Sequence, residues 1–241
     1  MIKKDKYGIV SQIQPDGSFE GGDSACFMGH YIYLTNDVDK FPYVENFEVS
    51  YGAYVRHFDK KLTNNGFGAY YRNPYNGCIS RDQLTGVLSA IIAKKDVGAM
   101  FRLVFHHMLS LFLFSYNTIH NGQKPEDAKW KLPDLTLFDI WATQLRGFGK
   151  LSYIFFPLLC ILDIHMLLNT FVTNNDDSDD QINYAMKLII SREHVSTPIS
   201  KLSLILLNRD RLLYKIKNFW SGWRSNPDMY PLYEKRIKEL T

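Results

Sequence analysis

Between Tyr54 and Gln83 the chain reads YVRHFDKKLTNNGFGAYYRNPYNGCISRDQ, its densest run of polar chemistry. Arg56 and His57 lie inside this stretch, Arg81 and Asp82 close it, and Asp23 precedes it. If the fold gathers these segments, two carboxylates, an imidazole and guanidinium groups meet at one cleft mouth. Glycoside hydrolysis needs such a carboxylate pair, Asp23 and Asp82 here: one protonates the leaving oxygen while the other activates water or attacks. His57 would share that proton traffic, and His57 or Tyr71 would be the base of a lyase. Arg56 and Arg81 suit an anionic sugar or another acidic small substrate. Tyr70, Tyr71 and Tyr75 with Arg72 form an aromatic cluster that suits stacking on sugar rings or bases, or anchoring a protein interface. Each residue also has a plain structural use. Asp23 can cap a helix, Asp82 in a first turn favours the helix dipole, and Arg81 can pair with Asp23 or Asp59.

A second group, Asp163, His165 and Asn169, sits in an otherwise apolar segment. His165 and Asn169 are four apart and share a helical face, while Asp163 lies round the helix. Unsatisfied buried polar groups cost roughly 1 to 3 kcal/mol each. These three must therefore find partners in the core, or line the floor of the same cleft with His165 against substrate.

Other chemistries find little to work with. His106 and His107 are adjacent and cannot point the same way from a helix, so no metal pair is expected. No HExxH, Walker A, GxSxG or GxGxxG motif occurs, and no cofactor is expected. Cys26, Cys78 and Cys160 are far apart and odd in number, which suggests reduced thiols in a cytosolic setting. The net charge is only +3 and its cations are dispersed, unlike the stripe of a nucleic-acid binder. MIKKDKYGIVSQIQPDGSF has no apolar core of a signal peptide. Leu151–Val172 has a length that suits a bilayer, but Asp163, His165 and Pro157 interrupt it. The expectation is a buried helix with no membrane span.

The elements that must position these residues read as helices. Residues 1–22 carry Gln14-Pro15-Asp16-Gly17 and Gly21-Gly22 and are expected as an extended arm or loop. A helix follows over Ala25–Leu34. Ser80 with Gln83 forms a capping-box pattern, and Leu84, Val87, Leu88 and Ile91 keep helical spacing, which predicts a helix over Arg81–Lys94. Asp96 should cap the next helix, through Phe101 to Phe112. Asp134 should start another, stopped by Gly147 and Gly149 and followed by an apolar helix over about 150–172. Further helices are expected over 180–192, over 199–208 with Thr197 as cap and Pro198 at the first position, over 211–223, and over 230–240.

The whole reads as an all-α single domain, 1–241, of helix hairpins. Helices apolar on nearly all sides (101–115 and 150–172) alternate with amphipathic ones (134–147 and 180–192). In a layered helical fold the first kind would be the inner ring and the second the outer. An α/α toroid has this alternation, and an irregular orthogonal helical bundle is the alternative.

The segments GGDSACFMGHYIYL, YVRHFD, YRNPYNGCISRDQL and NPDMYPLYEKRI together resemble a pattern of uncharacterised tailed-bacteriophage proteins. That pattern combines a Gly-Asp-Ser/Thr helix start, an Arg-His-Pro-Asp segment, a Ser-Arg-Asp-Gln helix start and an Asn-Pro…Leu-Tyr tail. These proteins resemble helical α/α-toroid enzymes in organisation. Two positions depart from the pattern: His30 replaces an arginine and Phe58 replaces the proline. The resemblance implies a bacteriophage glycan-active enzyme, a glycoside hydrolase or lyase, or a sugar-binding relative, placed in the infected host's cytoplasm or in the virion. The other class of function is a virion component or adaptor that binds other phage proteins without turnover. A host-directed inhibitor is a third.

Overall fold

In the computed structural model, the residues described are 2–4, 10–13, 19–20, 24–36, 81–112, 136–173, 180–207, 209–222 and 229–241. The chain divides into two units, Met1–Asp134 and Leu135–Thr241. The fold is all-α, as the apolar periodicity predicts, with one small sheet at the start.

In the first unit, β1 (Ile2–Lys4), β2 (Val10–Ile13) and β3 (Phe19–Glu20) pair antiparallel in the order β1-β2-β3. Ile2 lies opposite Gln12, and Gln12 lies opposite Glu20. The extended arm expected from the sequence is thus a small meander, with strands too short to leave a period-two signal.

Helix α1 (Ser24–Thr35) packs along α2 (Arg81–Lys94). Their contact is close because two glycines meet: a Cβ on Gly29 would stand 1.7 Å from the Gly86 carbonyl oxygen. Leu84 to Ile92 of α2 is buried without a break. Lys95, at φ 55, ends that helix, and Asp96 caps α3 (Val97–Phe112) by accepting from the Ala99 N–H at 2.9 Å. Met100 and Leu103 of α3 face inward, whereas Phe101 and Phe105 are exposed.

The second unit contains α4 (Thr136–Arg146), a 3-10 segment (Gly149–Phe155), α5 (Phe156–Thr173), α6 (Asp180–Glu193), α7 (Pro198–Leu206), α8 (Arg209–Gly222) and α9 (Met229–Leu240). Helix α6 is its centre. Among the described residues it touches each of the other α-helices of this unit, and residues 182–191 are buried throughout. This reverses the expected layering, in which 150–172 is inner and 180–192 outer. The polar stripe Asn183, Lys187 and Ser191 looks like a solvent face in the sequence, yet all three are buried. Helix α5 also packs against α4 and α7, and α8 packs against α9.

Candidate functional site

Helix α4 carries Asp139, Thr143 and Arg146 at spacings of four and three, a polar stripe along one face. That stripe turns inward, and all three residues are buried. Helix α5 meets it with Asp163 and His165, also buried. The third contributor is the start of α7. Thr197 is extended at φ −90 and ψ 160, and its hydroxyl accepts from the Ser200 N–H at 3.0 Å. Ser200 returns the contact by accepting from the Thr197 N–H at 3.1 Å, which completes a capping box in front of Pro198.

Two ion pairs result. Arg146 grips Asp163 with both guanidinium arms, Nη1 to Oδ1 at 3.0 Å and Nη2 to Oδ2 at 2.6 Å. Its remaining bonds go to backbone: Nε to the Val195 carbonyl at 3.0 Å and Nη1 to the Ala142 carbonyl at 3.3 Å. Thr197 Oγ1 also donates to Asp163 Oδ2. One carboxylate therefore ties α4, α5, the 194–197 connection and the α7 cap together. Both charged groups have no exposed side-chain surface, so each depends on the other for its solvation. Held this way, Asp163 has no free oxygen edge facing water to receive or give a catalytic proton.

The second pair is different. His165 Nδ1 lies 3.0 Å from Asp139 Oδ1, and the Phe138 ring stands over the imidazole at a centroid distance of 5.4 Å. A carboxylate oxygen at that distance can accept from an Nδ1–H. The other ring nitrogen, Nε2, is buried with no hydrogen-bond partner.

Of the residues singled out in the sequence, Asp163 and His165 have described side chains, and both sit in the core, Asp163 on Arg146 and His165 on Asp139. Arg81 and Asp82 are the first two residues of α2, the helix start expected for them. Asp23, Arg56, His57, Tyr71 and Arg72 lie outside the described residues, as do Tyr70 and Tyr75. Arg146, Asp139 and Thr197 were not singled out as site residues. The signal for the first two is the four-then-three polar spacing of α4, which matches the need of Asp163 and His165 for buried partners. Among the described residues, no group of three or more His, Cys, Asp or Glu side chains could hold a metal ion.

The outward side of the same helices is apolar. Ile154, Leu158, Ile161, Ile164 and Leu168 are all exposed, Ile154 by 72%. Helix α7 buries Ser200 and Ser203 while exposing Leu202, Ile205 and Leu206, Ile205 by 75%. The 3-10 segment repeats the pattern, with Ser152 inward and Leu151 outward. By contrast, α8 buries Leu212, Leu213 and Ile216 and exposes Arg209, Arg211 and Lys217, as a helix facing water does. The segment Gly149–Leu168 is long and apolar enough to cross a membrane, yet only a third (33%) of its 18-residue apolar window is buried.

Comparison with known protein families, with curated proteins and with solved structures finds no match.

Proposed function

We propose that the chain is a non-catalytic adaptor that works by laying the outward face of α5 and α7 against another surface. One observation carries this reading: three neighbouring segments bury hydroxyl, carboxylate and imidazole groups beside Leu159, Leu162 and Leu204, and still turn a row of further aliphatic side chains outward. A helix facing water carries charged and polar side chains on that outer face. Leu151, Ile154, Leu158, Ile161, Ile164 and Leu168 together present roughly 600 Å² of apolar surface, the upper end of what an ordinary monomer carries. The inward polar groups are tied in pairs that hold the helices in register. The test is sedimentation velocity and retention on an apolar matrix, comparing the wild type with the Ile161→Glu/Ile205→Glu double variant. The adaptor reading expects concentration-dependent association or retention in the wild type, and its loss in the variant. Identical behaviour of the two proteins contradicts it.

A glycan-active enzyme is the second reading, favoured by the Asp139–His165 pair. A carboxylate on Nδ1 with Nε2 left without a partner is the arrangement that orients a general base, and under this reading substrate entry must first uncover the buried Nε2. Under this reading His165→Gln abolishes turnover of a glycan that the wild type cleaves. Unchanged turnover removes His165 from the chemistry.

A further inference from the structure

We infer that the surface covered by α5 and α7 is an anionic lipid membrane, on which the second unit lies without spanning it. This rests on the adaptor reading above and names its partner.

The choice follows from what surrounds the apolar residues. Across Gly149–Leu168 and Pro198–Leu206 the exposed charged side chains are Lys150 and Lys201, and no carboxylate is exposed there. Each lysine adjoins an exposed leucine, Leu151 or Leu202. The next helix, α8, opens with exposed Arg209 and Arg211 around a single acid, Asp210. Aliphatic side chains with lysines among them and no acid are complementary to anionic headgroups lying above acyl chains. Tyr153, 63% exposed, adds an amphipathic ring of the type that favours the headgroup level.

The geometry favours lying on the bilayer over crossing it. Helix α7 has nine residues, about 14 Å of helix, less than half of a hydrocarbon core. Helix α5 is covered along its other side by α4, α6 and α7, and that side holds the Arg146–Asp163 and Asp139–His165 pairs. Burial of one helix face to a depth of roughly 5–10 Å leaves those pairs in protein, with Lys150 and Lys201 the exposed cations of the two segments.

The test uses the full chain in vesicle co-sedimentation, with phosphatidylcholine alone and with a phosphatidylglycerol-rich mixture. The wild type is expected to partition onto the anionic vesicles, less as salt rises. Lys150→Glu/Lys201→Glu should weaken partition by roughly twentyfold or more, about fivefold per lysine. Ile161→Glu/Ile205→Glu should abolish it while far-UV circular dichroism stays unchanged. Absence of wild-type partition, or partition indifferent to both pairs of substitutions, overturns the inference. If the wild type ignores vesicles yet associates in solution through Ile161 and Ile205, the lipid assignment falls and the adaptor reading stands. If it does neither, both fall.

Discussion

Removing the carboxylate of Asp163 probes the buried clamp most sharply. Asp163→Ala leaves the Arg146 guanidinium without exposed surface and with only the Ala142 and Val195 carbonyls as partners. Breaking a buried pair from one side costs about 3–5 kcal/mol, because the surviving charge stays desolvated. Thr197 loses its acceptor at the same time, which adds to that figure. The reciprocal Arg146→Met variant should lose a similar amount. In the double variant Asp163→Leu/Arg146→Met no charge is stranded, so most of the loss should return, to within about 2 kcal/mol of wild type. Native-state hydrogen exchange on peptides from residues 136–173 reads the second unit directly, and 3–5 kcal/mol corresponds to roughly a two- to nearly four-decade rise in opening. A single-variant loss below about 1 kcal/mol would show that water reaches the pair. Additive losses in the double variant would refute the clamp.

Two further substitutions test the joints of each unit. Gly29→Ala drives a methyl into the Gly86 backbone, with no flexible side chain there to give way, so α1 and α2 must separate. The expected cost is at the upper end of the 1–3 kcal/mol typical of overpacking, read as a lower urea midpoint for the first unit. Thr197→Ala removes both the α7 cap and a donor to Asp163 and should cost about 2 kcal/mol by the same exchange measurement. Thr197→Ser keeps the hydroxyl and should cost well under half of that.

Local structure was legible in the sequence wherever a backbone rule decides it. Thr197 and Pro198 mark the start of α7, Asp96 caps α3, and α2 spans the predicted Arg81–Lys94. Layering was not legible, because two helices carry misleading patterns. Asn183, Lys187 and Ser191 give α6 an amphipathic look, but neighbouring helices cover that stripe. Helix α5 is apolar nearly all round, which describes a core helix equally well as one that keeps a face for another apolar phase. Partner choice was hidden for a related reason. The sequence shows that Asp163 and His165 need partners, but only the crossing of α4 and α5 assigns Arg146 to one and Asp139 to the other. The convergence expected of Asp23, His57 and Asp82 depends on side chains outside the described residues.

The exposed apolar face of α7 underlies both the adaptor reading and the lipid inference, and Ile205→Glu measures it directly. Ile205 is 75% exposed, so the variant should keep wild-type stability in solution to within about 0.5 kcal/mol by denaturant unfolding. A loss of about 3 kcal/mol or more would place Ile205 in a packed core and remove the outward apolar face.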